Sequence, residues 1–150
     1  MASDDVPSKK DGNDLAERCR DAMLVRDRAS RSLGIEVDEV GAGFARAAFT
    51  VREDMLNGHD VCHGGFLFTL ADSAFAFACN SRNAATLALQ CSITFVAPAR
   101  LGERIEAVAH ERTLAGRTGT YDVEVNGPHG PVALFRGVSY RVSGTLVPDG

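Results

Sequence analysis

Hydrophobic and polar positions follow two different periods along this chain, and one segment has almost no polar positions at all. From Gly64 to Cys79 every residue is Gly, Phe, Leu, Ala or Cys except Thr69, Asp72 and Ser73. Those three fall at i, i+3 and i+4, so they share one face of a helix, and Gly65 and Ala76 extend that face with small residues. The remaining faces are apolar. The pattern predicts a central helix of about four turns, buried nearly all round. Asp72 is its single charge, and a charge among buried neighbours is costly unless something satisfies or uses it.

On either side the period changes. Leu15, Cys19, Ala22, Met23, Ala29 and Leu33 are spaced for one amphipathic helix from Asn13 to Ser32, stopped by Gly34. Residues 1–12 read as a disordered tail. Ile35–Val40 and Phe44–Val51 read as strands joined at Gly41-Ala42-Gly43, and Arg52–Cys62 as a polar loop. After Asn80, Thr86–Val96 alternates, with Leu87, Leu89, Cys91, Ile93 and Phe95 on one face and Gln90, Ser92 and Thr94 on the other. Strands at Arg104–Leu114, Thr120–Asn126 and Val132–Ser143 follow, separated by glycine-bearing turns, and residues 145–150 read as a loose tail. Two strands, an apolar helix and four strands with short connections predict an α+β domain over residues 13–144. In it one antiparallel sheet curls around the helix, because a flat sheet would leave half of that helix in water. Free strand edges and the small-residue helix face predict a homo-oligomer.

Composition narrows the partners. The 150 residues carry a formal net charge of −4 with Lys and Arg dispersed, not the basic excess of a nucleic-acid binder. The longest apolar run, Ala74 to Cys79, is far too short to span a bilayer. Residues 1–12 lack the apolar stretch of a secretory signal. Cys19, Cys62, Cys79 and Cys91 are scattered without paired spacing, which fits reduced thiols in the cytoplasm.

Several residues are candidates for chemistry. Gly64-Gly65 at a helix start offers unpaired backbone N–H groups and the positive end of the helix dipole, where an oxyanion is stabilised. Read blandly, the pair only permits a tight turn. A lone acid in an apolar helix makes Asp72 a functional candidate, its alternative being a structural carboxylate. Ser73 reads first as a back-bond into its own helix. His59 and His63 suggest a metal, but glycines place them in a loop and no third ligand completes a set, so no metal site is expected. His63 reads better as a cap or an orienting residue. Asn57 before Gly58 is a turn former on its own evidence.

The run Leu56-Asn57-Gly58-His59, Cys62-His63-Gly64-Gly65 and Leu70-Ala71-Asp72-Ser73-Ala74-Phe75-Ala76 closely resembles the hot-dog-fold thioesterases of phenylacetate degradation. The likeness continues through Pro98, Gly116-Arg117-Thr118-Gly119-Thr120-Tyr121-Asp122 and Ala133-Leu134-Phe135-Arg136-Gly137, and so covers about Leu15 to Gly144. It implies an acyl-CoA thioesterase acting on phenylacetyl- or hydroxyphenylacetyl-type substrates, with no cofactor. In that family the N–H of the residue matching Gly64 polarises the thioester carbonyl, and the acid matching Asp72 attacks it or activates water. The residue matching Asn57 holds the carbonyl or the water, and His63 matches one that shapes the site. Gly65 and Ser73 adjoin these as substrate contacts, and Arg117-Thr118 is a candidate for the phosphates of coenzyme A, with Arg100 and Arg104 behind it. A hot-dog dehydratase, a non-catalytic acyl-CoA sensor and a purely structural dimer are the other readings.

Helix geometry adds a constraint. Gly64 and Asp72 are eight residues apart, a rise of about 12 Å, whereas an attacking group must come within about 3–3.5 Å of the reacting carbon. If both act on one thioester, Asp72 must come from a second subunit whose helix runs antiparallel across a twofold axis, as in the family's dimers. A dimer is then the minimum assembly, with a tetramer built from two of them.

Overall fold

The computed structural model describes residues 8–148. Its centre is the helix the pattern predicts, Gly64–Cys79, which follows two other helices and two strands. In chain order the elements are α1 (Lys9–Arg26), α2 (Arg28–Ser32), β1 (Glu36–Gly41), β2 (Phe44–Thr50), a single 3₁₀ turn (Glu53–Met55), α3 (Gly64–Cys79), β3 (Thr86–Phe95), β4 (Arg104–Ala115), β5 (Thr118–Gly127) and β6 (Gly130–Arg141). The strands form one antiparallel sheet in the order β1-β2-β4-β5-β6-β3.

The sheet bends around α3 because its inward positions are small where the helix presses closest. Ala45 and Ala47 of β2, and Ala107 and Ala109 of β4, are fully buried. Gly137 of β6 faces Phe75 so closely that a methyl group there would stand 2.8–2.9 Å from three ring carbons. Register shifts in four of the five strand pairs add twist. Phe75 packs against Tyr121 and Phe135 with ring centroids 5.4 and 5.9 Å apart, joining helix to sheet.

The helix is not buried all round. Leu67, Leu70, Ala71, Ala74, Phe75, Phe77 and Ala78 are buried, but along the small-residue stripe Gly65 is exposed and Thr69, Asp72, Ser73 and Ala76 are only half-buried, as are Phe66, Phe68 and Cys79. One six-stranded sheet covers only the faces turned toward it. Beside the stripe, edge strand β3 is open too, with Leu87 63% and Leu89 60% exposed.

Other elements depart from expectation for local reasons. The single N-terminal helix is two, because Asp27 ends α1 and caps α2, its Oδ1 accepting from Ser30 N at 2.9 Å and its Oδ2 from Ser30 Oγ at 2.7 Å. Residues 8–12, expected in the disordered tail, begin α1, with Ser8 Oγ as cap accepting from Asp11 N at 3.2 Å. Residues 1–7 lie outside the described part. The expected single apolar face of β3 is broken by an irregularity at Leu89. Cys91 lies opposite inward-facing Gly137, while Leu87 lies opposite Tyr140 on the outer side. The segment after Gly144, expected loose, is tied down as far as Val147. Asn83 Oδ1 accepts from Leu146 N and Val147 N at 2.8 and 2.9 Å, and Asn83 Nδ2 donates to Val147 O at 2.9 Å.

Candidate active site

The start of α3 is built so that one backbone donor stays free. His63, with φ −59° and ψ 133°, is the cap, and its Nδ1 accepts from Gly65 N at 3.0 Å. His63 O accepts from Phe66 N at 2.9 Å. Gly64 N–H, by contrast, has no acceptor among the described residues. His63 thus serves as the cap that the sequence suggested, and of the two glycines only Gly64 offers its donor. The loop leading in is held by pairing of Cys62 N with Ala99 O at 2.8 Å and of His63 N with Met55 O at 2.8 Å.

Asn57 stands in that loop. Its Oδ1 accepts from His59 N at 2.9 Å and Val61 N at 3.3 Å, forming the turn, while no described residue takes its Nδ2 hydrogens. With Val61, His63, Gly64, Leu67, Phe95 and Val96 it lines a cleft of about 600 Å³ at the helix start.

Asp72 lies two turns further along, half-buried on the open stripe. Burial pushes its carboxyl above the ordinary carboxylate range, with no cation or donor to offset it. The neighbouring hydroxyls do not serve it. Ser73 Oγ donates to Thr69 O at 2.7 Å, the back-bond expected from sequence, and Thr69 Oγ1 donates to Gly65 O at 2.9 Å. Cys79, on the same helix, has its thiol pushed up to about 12, by burial first and then by the negative charge of Asp72 and the nearby Cys91. At neutral pH it is an un-ionised packing residue rather than a nucleophile.

Arg117 and Thr118 sit elsewhere. They form the β4–β5 turn, where Gly116 has φ 60°, Thr118 Oγ1 donates to Ala115 O at 3.1 Å and Arg117 is exposed. Thr118 is opposite Tyr140 and Val125 is opposite Ala133, beside Phe95. Seven residues of strand, about 23 Å, therefore separate this turn from the cleft within one chain. The chain brings together Asn57, His63 and Gly64, and holds Asp72 and Arg117-Thr118 apart from them. Among the described residues no group of three His, Cys, Asp or Glu side chains could hold a metal ion, and no helix is long and apolar enough to cross a membrane.

Motif reading missed two residues here. In the sequence Phe95 is only one member of an apolar strand face, yet it is 51% exposed and reaches the helix start. In the sequence Asn80 marks only the end of the helical run. It is buried and joins α3 to β3, its Nδ2 donating to Ala76 O and Thr86 O at 2.9 and 3.0 Å and its Oδ1 accepting from Thr86 N at 2.9 Å. A polar residue closing an apolar helix was the available signal.

One antiparallel sheet wrapped on a helix, with a backbone donor left free at the helix start among the described residues, places the protein in the hot-dog class. Comparison with known proteins gives the same class. The thioesterase superfamily pattern matches residues 59–132, and the chain belongs to that family. The acyl-coenzyme A thioesterase PaaI of Escherichia coli is 47% identical over 129 residues, covering 85% of this chain and 92% of that protein. A solved structure of the E. coli PaaI protein, from the phenylacetic acid degradation operon, superposes with a TM-score of 0.88 over 89% of this chain and 98% of that one, at 43% identity. A putative esterase of Archaeoglobus fulgidus is 38% identical over 135 residues, covering 89% of this chain and 88% of that protein.

Proposed function

We propose that this chain is a cytoplasmic acyl-CoA thioesterase that hydrolyses phenylacetyl- or hydroxyphenylacetyl-type thioesters to the free acid and CoA, working as a homodimer or a dimer of dimers. The observation that carries the reading is the unpaired Gly64 N–H at the head of a helix bearing the uncompensated, half-buried Asp72. The 47% identity to an acyl-coenzyme A thioesterase supports the substrate class.

In this reading the thioester oxygen accepts a hydrogen bond from Gly64 N–H, which strengthens as negative charge builds on it. Asp72 acts from the second copy, because the open stripe of α3 and the open edge of β3 form one uncovered surface suited to a second chain of the same kind. Two routes balance. Asp72 attacks the carbonyl carbon, CoA leaves as thiolate, and water hydrolyses the mixed anhydride to acid and free Asp72. Alternatively, Asp72 takes a proton from water as the water oxygen attacks, and that proton passes to the leaving thiolate. Asn57 Nδ2 is the free donor available to hold the carbonyl or the water. Label found in Asp72 after a single turnover in H₂¹⁸O would establish the first route, with water opening the anhydride at the Asp72 carbon.

The test is a panel of aryl and aliphatic acyl-CoA esters with free thiol measured directly. Rapid thiol release, fastest with aryl esters, is expected. Turnover of enoyl or hydroxyacyl esters without thiol would make the protein a hydratase or dehydratase, and stoichiometric binding without turnover would make it a sensor.

A further inference from the structure

Phe95 lies opposite Ala133 in the β3–β6 ladder, and Ala133 is fully buried, so the two side chains share the sheet face turned toward α3. The ring reaches the helix start. A methyl group built on Gly64 would stand 2.8 Å from Phe95 Cζ and 3.2 and 3.3 Å from the two Cε carbons. The tip of the ring therefore rests on the Gly64 α-carbon, in space that any other residue's side chain would fill. On a helix the Cα–Cβ direction leans toward the N-terminus, and the unpaired N–H groups of the first turn also point that way. The ring thus flanks the path by which a carbonyl oxygen reaches Gly64 N–H. Its other surface is half open and forms one wall of the 600 Å³ cleft, alongside Val61, Leu67 and Val96. Apart from Asn57 and His63, the side chains lining this cleft are hydrocarbon or thiol.

We infer that Phe95 is a specificity-determining residue, whose ring is the wall against which the acyl group packs while Gly64 N–H holds the carbonyl. This rests on the reading of Gly64 as the carbonyl donor. A hydrocarbon wall beside the donor favours the acyl end of the thioester over its amide- and phosphate-bearing thiol end. An aryl group meets the ring in an offset or edge-on pair, and it loses less rotamer freedom than an alkyl chain of similar size. The same contact favours glycine at position 64 even though the backbone there is ordinary helix. Acyl groups ending in a carboxylate should be poor substrates, because no Lys or Arg side chain lines the cleft to meet them.

The experiment compares kcat/KM for phenylacetyl-CoA and hexanoyl-CoA in the wild type, Phe95→Ala and Phe95→Leu. Because the side chain is half exposed, either change should leave the fold intact, and Leu keeps an apolar wall if Ala does not fold. The aryl-to-alkyl ratio should fall at least about tenfold in Phe95→Ala, the size expected for lost hydrocarbon contact in a pocket, and less in Phe95→Leu. Gly64→Ala keeps the N–H but drives a methyl into the ring. It should lose activity, and Gly64→Ala combined with Phe95→Ala should recover part of that loss. If the wild type is active but both substrates fall by the same factor in both Phe95 variants, the inference is overturned while the thioesterase reading stands. A wild type that releases no thiol from any acyl-CoA would remove the thioesterase reading and this inference with it.

Discussion

Replacing Asn80 tests the joint that fixes the working helix against the edge strand. Its amide bonds Ala76 O, Thr86 O and Thr86 N, with a weaker bond to Cys79 Sγ at 3.6 Å, and the residue is only 5% exposed. In Asn80→Ala, Ala76 O keeps a partner in the backbone N–H of residue 80, at 3.1 Å. Thr86 N and O lose theirs in a place water reaches poorly. Each net hydrogen bond is worth about 1 kcal/mol, and an orphaned buried group costs about 1–3 kcal/mol, so the change should destabilise by about 2–4 kcal/mol. Asn80→Asp separates hydrogen bonding from mere volume. The carboxylate keeps the shape and can accept from Thr86 N, but it cannot donate. It would set a negative charge against two carbonyls at the negative end of α3, so at neutral pH it should be at least as damaging as Ala. Urea unfolding followed by circular dichroism at pH 7 measures both. A loss under about 0.5 kcal/mol for Ala, or an Asp variant as stable as the wild type, would refute the assigned joint. The consequence reaches function, because Thr86 begins β3, and β3 carries Phe95 to Gly64.

Other outcomes follow from single contacts. Gly137→Ala should destabilise by about 1–3 kcal/mol through overpacking, since its methyl meets three carbons of the buried Phe75 ring, and an unchanged denaturation midpoint would contradict that packing. Burial holds the Asp72 carboxyl above the ordinary range, so the native state binds more protons than the unfolded chain between the two values. The wild type therefore loses stability as pH rises through that window. Asp72→Asn should then be the more stable protein at neutral pH and lose its advantage in acid. Urea midpoints at pH 7 and pH 4 check this, and a variant less stable than the wild type at pH 7 would count against it. Arg117→Ala should slow full CoA thioesters more than pantetheine thioesters, and salt should shrink the difference. Equal losses on both would return Arg117 to a solvated turn residue.

Much of this architecture could be read from the residues because periodicity reports burial. The helix at 64–79, the strand order in the chain and the curled sheet all followed from where apolar residues recur. Periodicity does not register a side chain that competes with the backbone, or a ladder that slips by one residue. Asp27 broke a helix by capping the next one, Asn83 drew the C-terminal segment onto the domain, and the irregularity at Leu89 turned Leu87 away from the face of Cys91. The site divided along the same line. Gly64, Gly65 and Asp72 were legible as a helix start and a misplaced charge. That His63 takes the Gly65 donor, leaving Gly64 alone, depends on a rotamer. That Phe95 rests on Gly64 depends on a contact between elements some 30 residues apart in sequence. Neither has a local signature.

The central claim is that Gly64 N–H of one chain and Asp72 of another act on one thioester, and pairing two inactive variants tests it most directly. Asp72→Asn removes the carboxylate, and Gly64→Pro removes the donor. Proline is tolerated in a first helical turn, and His63 already has the extended backbone that a following proline requires, although the half-exposed Phe95 ring must swing aside. Circular dichroism would verify that both variants fold. Each homodimer should be nearly inactive, the Asp72→Asn protein by at least about 10²-fold. A heterodimer carries one site with both defects and one with neither. Equal amounts mixed at random make half of all dimers heterodimers, so acyl-CoA hydrolysis should return to roughly a quarter of the wild-type rate. Heterodimers that form, as shown by two different affinity tags, and yet release no thiol would contradict the shared site.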